Sequence, residues 1–259
     1  MNNEQDSIHD FDFNLICEYY SSVDRQGPGS PEITLRALSF IKGLTAESKI
    51  ADLGCGTGTH TITLARNSPG HITALDLFPK FIDILNENVA RAGLGDRIKG
   101  IVGDMGEPPF ADGELDLIWS EGAIYNIGFE RGINEWRRFL KTGGYLAVSE
   151  VSWFTPGRPA EINDFWMDAY PGIDTVSAKI DLMQKAGYAP EAMFVLPVEC
   201  WTEHFYAPQE RSRREFLTRY SGNPAAEMLV RNQVHEEGLY NKYKDYYGYV
   251  FYVGKKVEL

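Results

Sequence analysis

Apolar and polar positions fall in blocks along the chain, and the period of the pattern switches from block to block. Short runs rich in Ile, Leu and Val at 50–53, 72–77, 98–102, 115–120 and 145–151 have the length and composition of strands buried on both faces. Between them, 59–67, 80–92 and 133–140 repeat apolar residues at helical spacing. This alternation predicts an α/β fold built on a doubly wound, mainly parallel sheet. Ahead of it, 13–22 and 31–42 read as helices, the second with Ser30 as N-cap and Pro31 in its first turn. Beyond it, 160–170 and 175–186 read as helices, 193–198 as a strand, 208–242 as mostly helix and 247–253 as a closing strand. The expected organisation is one domain over 1–259. It has an N-terminal helical lid at 1–45, a cofactor-binding core at 46–155, and C-terminal strands with helical substrate-cap insertions at 156–259.

Acids recur where these strands end: Asp52, Asp76, Asp104 and Glu121 each fall at or just beyond one. Ligands of open α/β sheets bind outside the carboxyl ends of the strands, so the four acids would line one rim. The first strand runs into Asp52-Leu53-Gly54-Cys55-Gly56-Thr57-Gly58. Glycine admits positive φ and lets a ligand press on bare backbone, and the helix that follows offers free N–H groups. Between Ala51 and Ala65 there is no Lys or Arg, which makes the loop a poor cradle for phosphates. A nucleoside with a cationic end suits it better. Asp76 stands where an acid accepts from both ribose hydroxyls. Asp104 would accept from an exocyclic amine, with Met105 against the ring and Leu77 on the same cofactor face. Asp52 would attract an α-ammonium. Cys55 reads as a small buried filler of the turn.

Composition narrows the partners. Against 25 Lys and Arg stand 37 Asp and Glu, a formal charge of −12, which repels polyanions and argues against a nucleic-acid substrate. No apolar run approaches the roughly 20 residues of a membrane span, and the opening hexapeptide lacks the basic and apolar regions of a signal peptide. A cytoplasmic protein, monomer or homodimer, is expected. The three cysteines are scattered without metal-ligand spacing, so no metal site is expected.

Taken together, the glycine loop, Asp76, Gly103-Asp104-Met105 and Trp119-Ser120-Glu121-Gly122-Ala123 resemble the class I S-adenosylmethionine-dependent methyltransferases over about residues 45 to 155. The Lys141-Thr142-Gly143-Gly144 turn is similar to the small-molecule branch that includes ubiquinone and menaquinone biosynthesis methyltransferases. The resemblance implies a seven-stranded sheet whose last strand, 247–253, inserts antiparallel beside the fifth. It also implies S-adenosyl-L-methionine as cofactor, held by Gly54, Cys55, Gly56, Thr57, Gly58, Asp52, Asp76, Leu77, Asp104, Met105 and Glu121, and in-line transfer of a sulfonium methyl. That reaction needs alignment and a dry pocket more than a dedicated base.

Where the acceptor arrives protonated, the candidate bases are Glu121, Tyr125 and His204. His60, just inside the helix after the loop, would be kept neutral by the helix dipole and contact cofactor or solvent. The segment Arg25-Gln26-Gly27-Pro28-Gly29-Ser30 would fold over the cofactor, with Arg25 pairing its carboxylate and Gly29 giving close approach. Aromatic residues outside the shared core, among them Tyr19, Tyr20, Trp153, Phe165, Trp166, Tyr170 and Trp201, favour a flat or apolar small-molecule acceptor, quinone-like or phenolic. Two rivals stay open: a nicotinamide-dependent oxidoreductase on the same βαβ geometry, and a non-catalytic S-adenosylmethionine-binding protein.

Overall fold

A computed structural model describes residues 13–258. Part of the expected 1–45 lid, and the opening hexapeptide, lie outside the described residues. Strands β1 (Lys49–Leu53), β2 (His71–Asp76), β3 (Ile98–Val102), β4 (Leu115–Glu121), β5 (Leu140–Trp153), β6 (Asp174–Thr175), β7 (Tyr188–Val195) and β8 (Tyr247–Lys256) form one sheet. Its order is β3-β2-β1-β4-β5-β8-β7, with the two-residue β6 beside the end of β5. β8 runs antiparallel between β5 and β7, while β1 to β5 are parallel, so the expected seven-strand path is present. The central strands are buried along almost their whole length, as their unbroken apolar runs require.

Helices cover both faces. The core on one side joins Leu64, Ala65, Ile82, Leu85 and Val89 from α3 (Thr59–Asn67) and α4 (Pro79–Ala92) to Ile50, Ile72 and Trp119 of the sheet. α2 (Pro31–Leu38) adds Ile33, Ala37 and Leu38. On the other, α5 (Phe129–Trp136) and α7 (Val176–Lys185) bring Phe129, Ile133, Trp136 and Met183 against Leu53, Ile118 and Val148. A third cluster joins Leu15 and Tyr19 of α1 (Phe13–Tyr20) to Phe216 of α9 (Ala207–Arg219) and to Ala226, Leu229 and Val230 of α10 (Pro224–Tyr243). The N-terminal lid and the C-terminal helices therefore form a single cap. α6 (Ala160–Ala169) and the short α8 (Glu199–Trp201) complete the helices, and α8 passes into α9 through a π turn, Thr202–Tyr206.

Several boundaries differ from the sequence pattern for local reasons. α2 is capped as expected, with Ile33 N–H donating to Ser30 Oγ at 3.3 Å. It stops at Leu38 rather than 42, because Phe40 and Ile41 N–H groups tighten onto Ala37 and Leu38 carbonyls. The strand expected at 193–198 runs from Tyr188 to Val195 instead. Pro190 hid its start: a proline fits there because β7 is an edge strand whose register shifts between Pro190 and Ala192. β5 takes in the Lys141-Thr142-Gly143-Gly144 turn, with Gly143 at φ 80°. The run 208–242 breaks at Gly222 (φ 77°), and Asn223 caps α10 by accepting from Ala225 and Ala226 N–H. α5 starts four residues before the expected 133, since Phe129, Ile133 and Trp136 share one buried face.

Candidate active site

The chain leaves β1 toward β2 on one side and returns from β3 to β4 on the other, so a crevice opens at the carboxyl ends of β1 and β4. The glycine loop fills its floor. Gly54, Gly56 and Gly58 take φ of 77°, 54° and 88°. A Cβ on Gly56 would lie 2.2 Å from Gln26 Oε1, and one on Gly58 2.0 Å from Leu85 Cδ1. The positive φ requires glycine, and Gln26 and Leu85 would in addition have to move aside for a side chain. Gly54 and Cys55 N–H groups donate to Leu75 O at 2.8 and 3.0 Å, tying the loop to β2. Cys55 is fully buried, and burial pushes its thiol well up, which makes it the inert filler expected.

Asp76, at the end of β2, accepts from Gly56 N–H at 2.9 Å and Phe78 N–H at 3.0 Å. A carboxylate offers about four lone-pair sites, so this one holds the loop and keeps capacity for a ligand. Burial raises its pKa against the pull of those N–H groups. Leu77 (57% exposed) and Val102 (54% exposed) leave apolar side chains in the open at the ends of β2 and β3, beside Met105 and the exposed Asp104. Asp104 Oδ1 accepts from Gly106 N–H at 2.7 Å. Val102 was missed in the sequence, although it directly precedes Gly103-Asp104.

The structure corrects the expectations for Asp52 and His60. Asp52 is fully buried and committed: Thr61 Oγ1 donates to it at 2.6 Å and His60 Nε2 lies at 3.2 Å. It fastens the first turn of α3 beneath the loop, and its charge acts from there rather than by contact with an ammonium. His60 is not held neutral by the helix dipole. Burial opposes its charge, but the charge and hydrogen bond of Asp52 outweigh burial and raise its pKa.

Glu121 is also committed. Arg25 Nη2 pairs with its Oε1, while Thr34 Oγ1 (2.8 Å) and Trp119 Nε1 (3.3 Å) donate to its Oε2. A carboxylate saturated in this way, with a side chain 1% exposed, anchors Arg25 instead of taking a proton from a substrate. Gly29 packs on that pair: a Cβ there would meet Arg25 Nη2 at 2.2 Å. The rest of the 21–30 segment closes over the loop. Gln26 Oε1 accepts from Thr57 N–H at 3.2 Å, and Asp24 O accepts from Thr59 Oγ1 at 2.5 Å. Arg25 Nε and Nη1 remain buried without a partner. Buried donors are costly when unmade, and a planar guanidinium with two to spare is the complement of a carboxylate.

Tyr125 stands in a short turn after β4, edge-on to Tyr170 at 6.0 Å. It is 40% exposed, yet the protein packed around it desolvates the phenol and, with the charges of Glu236 and Glu150, pushes it up to about 12. Glu236 of α10 was not anticipated. Burial pushes it up to about 7, and Tyr206 OH donates to it at 3.3 Å. An adjacent acid pair, Glu236-Glu237, inside a helical run was its only signal in the sequence. His204 is set apart from this group. The π turn sends Phe205 and Tyr206 inward and leaves His204 exposed, within electrostatic reach of Glu32. Of the aromatic residues expected to line an acceptor pocket, Tyr19, Trp153 and Trp201 are fully buried packing, Trp201 stacked on Tyr240 at 4.2 Å. Tyr20 and Tyr170 stay half-buried.

Residues 50–144 match the family described as "Methyltransferase domain". Those residues carry a methyltransferase domain. Among curated proteins, methyltransferase GfsG of Streptomyces halstedii is 28% identical over 132 residues, 51% of this chain and 47% of that protein. Demethylmenaquinone methyltransferase of Bacteroides fragilis is 29% identical over 125 residues, 48% of this chain and 50% of that one. The matches span half or less of the length of these curated relatives. A methyltransferase from Geobacter sulfurreducens, solved with S-adenosyl-L-homocysteine, superposes with a TM-score of 0.80 at 19% identity, covering 93% of this chain and 97% of that one. That likeness extends the methyltransferase fold well beyond the matched core, to the cap helices.

Proposed function

We propose that the methyltransferase domain binds S-adenosylmethionine across the ends of β1, β2 and β3 and directs its methyl group to a small organic acceptor. The observation that carries this reading is the pair of orphaned Arg25 donors on a segment that bonds to the glycine loop through Gln26 and Asp24, with Asp76 and Asp104 at the ends of β2 and β3. Those groups fit the cofactor. Arg25 would take its carboxylate, Asp76 the ribose hydroxyls, and Asp104 the adenine amine, with Leu77, Val102 and Met105 against the ring. When bound, the cofactor supplies an electrophilic sulfonium methyl. The chain itself orients the reactants and keeps water out, which the 21–30 segment does by closing on Thr57 and Thr59. A formal charge of −12 supports a small acceptor rather than nucleic acid. Among the described residues no helix is long and apolar enough to cross a membrane, in keeping with the cytoplasmic placement we propose.

Titration calorimetry with S-adenosylhomocysteine tests the reading. The wild-type protein should bind it. Asp76→Ala, which loses the ribose acceptor and the anchor of Gly56 N–H, should bind at least tenfold more weakly, and Gly56→Val should not bind. Equal affinity in all three, or a dinucleotide recovered by mass spectrometry from gently purified protein, would overturn it.

A further inference from the structure

The acceptor side of the site holds a group that binding the cofactor does not use. Glu236 of α10 accepts from Tyr206 OH of the π turn at 3.3 Å and lies within electrostatic reach of Tyr20 at the end of α1, Tyr125 after β4 and Tyr249 of β8. Their contacts tie this group to the cofactor loop. Tyr20 O accepts from Gln26 Nε2 at 3.2 Å, and Gln26 itself sits on Thr57. Tyr249 Cε1 lies 3.8 Å from where a Cβ of Gly122 would stand, directly after β4. On α10, Gln233 is one turn before Glu236, so both share a face. The Gln233 side chain reaches the Tyr20 hydroxyl, and its Oε1 is buried without a partner.

Arg213 acts on Glu236 electrostatically and holds it down against burial, but its ion pair is with Glu237 at 2.6 Å, and its Nε and Nη2 stay without a partner. Glu150 has its own lysine, Lys179, at 3.1 Å. Among the described residues no ion pair reaches Glu236. Its polar neighbour Gln233 Oε1 is a pure acceptor.

We propose that this group of side chains recognises an ammonium, a small primary or secondary amine held by Glu236 and Gln233 Oε1 among Tyr20, Tyr125 and Tyr249. The inference rests on the methyl-transfer reading of the same site. A quinone brings only acceptors and leaves Gln233 Oε1 and the carboxylate unpaired. A phenol brings one donor. An amine brings two or three with a positive charge, and aromatic rings attract that charge further. An ammonium must lose a proton before its nitrogen has a lone pair to methylate. Glu236 is placed to take it: R2NH2+ and the carboxylate become R2NH and the carboxylic acid. A carboxyl group near neutrality is matched to that task at physiological pH.

The test uses full-length protein saturated with S-adenosylhomocysteine and titrated with tetramethylammonium, benzylamine and phenol. Both cations should bind one to one and more tightly than phenol. Their affinity should rise from pH 6 to pH 8 as Glu236 loses its proton, among Tyr20, Tyr125, Tyr206, Tyr247, Tyr249 and Arg213, the titratable groups that act on it. Glu236→Gln should weaken both at least tenfold and flatten the pH dependence, with S-adenosylhomocysteine affinity within about twofold of wild type. Gln233→Leu gives a second reading: it should weaken benzylamine, which brings N–H donors, more than tetramethylammonium, which brings none. Tighter binding of phenol, no saturable cation binding, or cation affinity unchanged in Glu236→Gln would overturn the proposal. Failure to bind S-adenosylhomocysteine at all would instead overturn the methyl-transfer reading beneath it.

Discussion

Two buried acid–base pairs in this chain look alike on a list of contacts and behave as opposites. Lys179 of α7 and Glu150 of β5 have side chains 1% and 0% exposed. The lysine donates to Glu150 Oε1 at 3.1 Å and to Gly172 O at 3.3 Å, and it lies 4.5 Å from the centre of the Phe129 ring. Burial pulls Lys179 down and pushes Glu150 up, with each partner opposing the other's shift. Arg25 and Glu121 are nearly as buried, but here the acid is saturated while the guanidinium keeps two donors with nothing to bond. The first pair spends its lysine on Glu150 and Gly172, keeps one spare acceptor in Glu150 Oε2, and pins a helix to the sheet. The second keeps two spare donors on a segment that bonds to the glycine loop. A surface recess of about 280 Å³ lies beside the Lys179 pair, lined by Phe129, Tyr170 and Lys179, so concavity alone would have directed attention away from Arg25.

The comparison breaks most visibly at Lys179. Lys179→Met strands a buried carboxylate, for which the expected cost is about 3–5 kcal/mol of stability in urea denaturation. Affinity for S-adenosylhomocysteine should stay within about twofold. Replacing both partners, Lys179→Met with Glu150→Leu, should recover most of the loss, because two apolar groups leave no charge uncompensated. If the single variant loses under about 1 kcal/mol, the pair is not a buried ion pair and the contrast falls.

Arg25→Met should invert that pattern. Glu121 keeps Thr34 and Trp119 as donors, so less stability is lost than at Lys179. Binding of S-adenosylhomocysteine should weaken by tenfold or more, at least about 1.4 kcal/mol. A variant that is destabilised yet binds as well as wild type would make Arg25–Glu121 a second scaffold pair.

The sequence carried one half of this site and not the other, for a physical reason. Local order writes itself into local pattern: the apolar runs announced β1, β2, β3 and β4, and the strand ends put Asp52, Asp76, Asp104 and Glu121 on one rim. What those acids touch depends on topology. Arg25 meets Glu121 across 96 positions, and Tyr19 meets Gln209 across 190, so no window of sequence contains either pair. For the same reason Glu121 read as a free base, and Glu236, which arrives on the last long helix, was not read at all. The Asp52 contacts were closer to hand. A strand, a tight glycine turn and a helix fold α3 back against the end of β1, so residues eight and nine positions on, His60 and Thr61, come within reach.

That short-range pair supplies the subtlest test, because it shares features of both larger ones. His60–Asp52 is buried like the scaffold pair, but it lies under the cofactor loop. The folded protein raises the His60 pKa above its unfolded value of about 6.5, so the protonated form is favoured by folding. Its stabilisation should be fully present below about pH 6.5 and fade as pH climbs through the raised folded value, with a slope of at most about 1.4 kcal/mol per pH unit. Urea denaturation of wild type and His60→Gln at pH 6 and pH 9 reads this directly. The wild-type advantage should be larger at pH 6. An equal advantage at both values would mean a neutral imidazole on a hydrogen bond alone, and the helix dipole would then be the stronger influence on His60 after all.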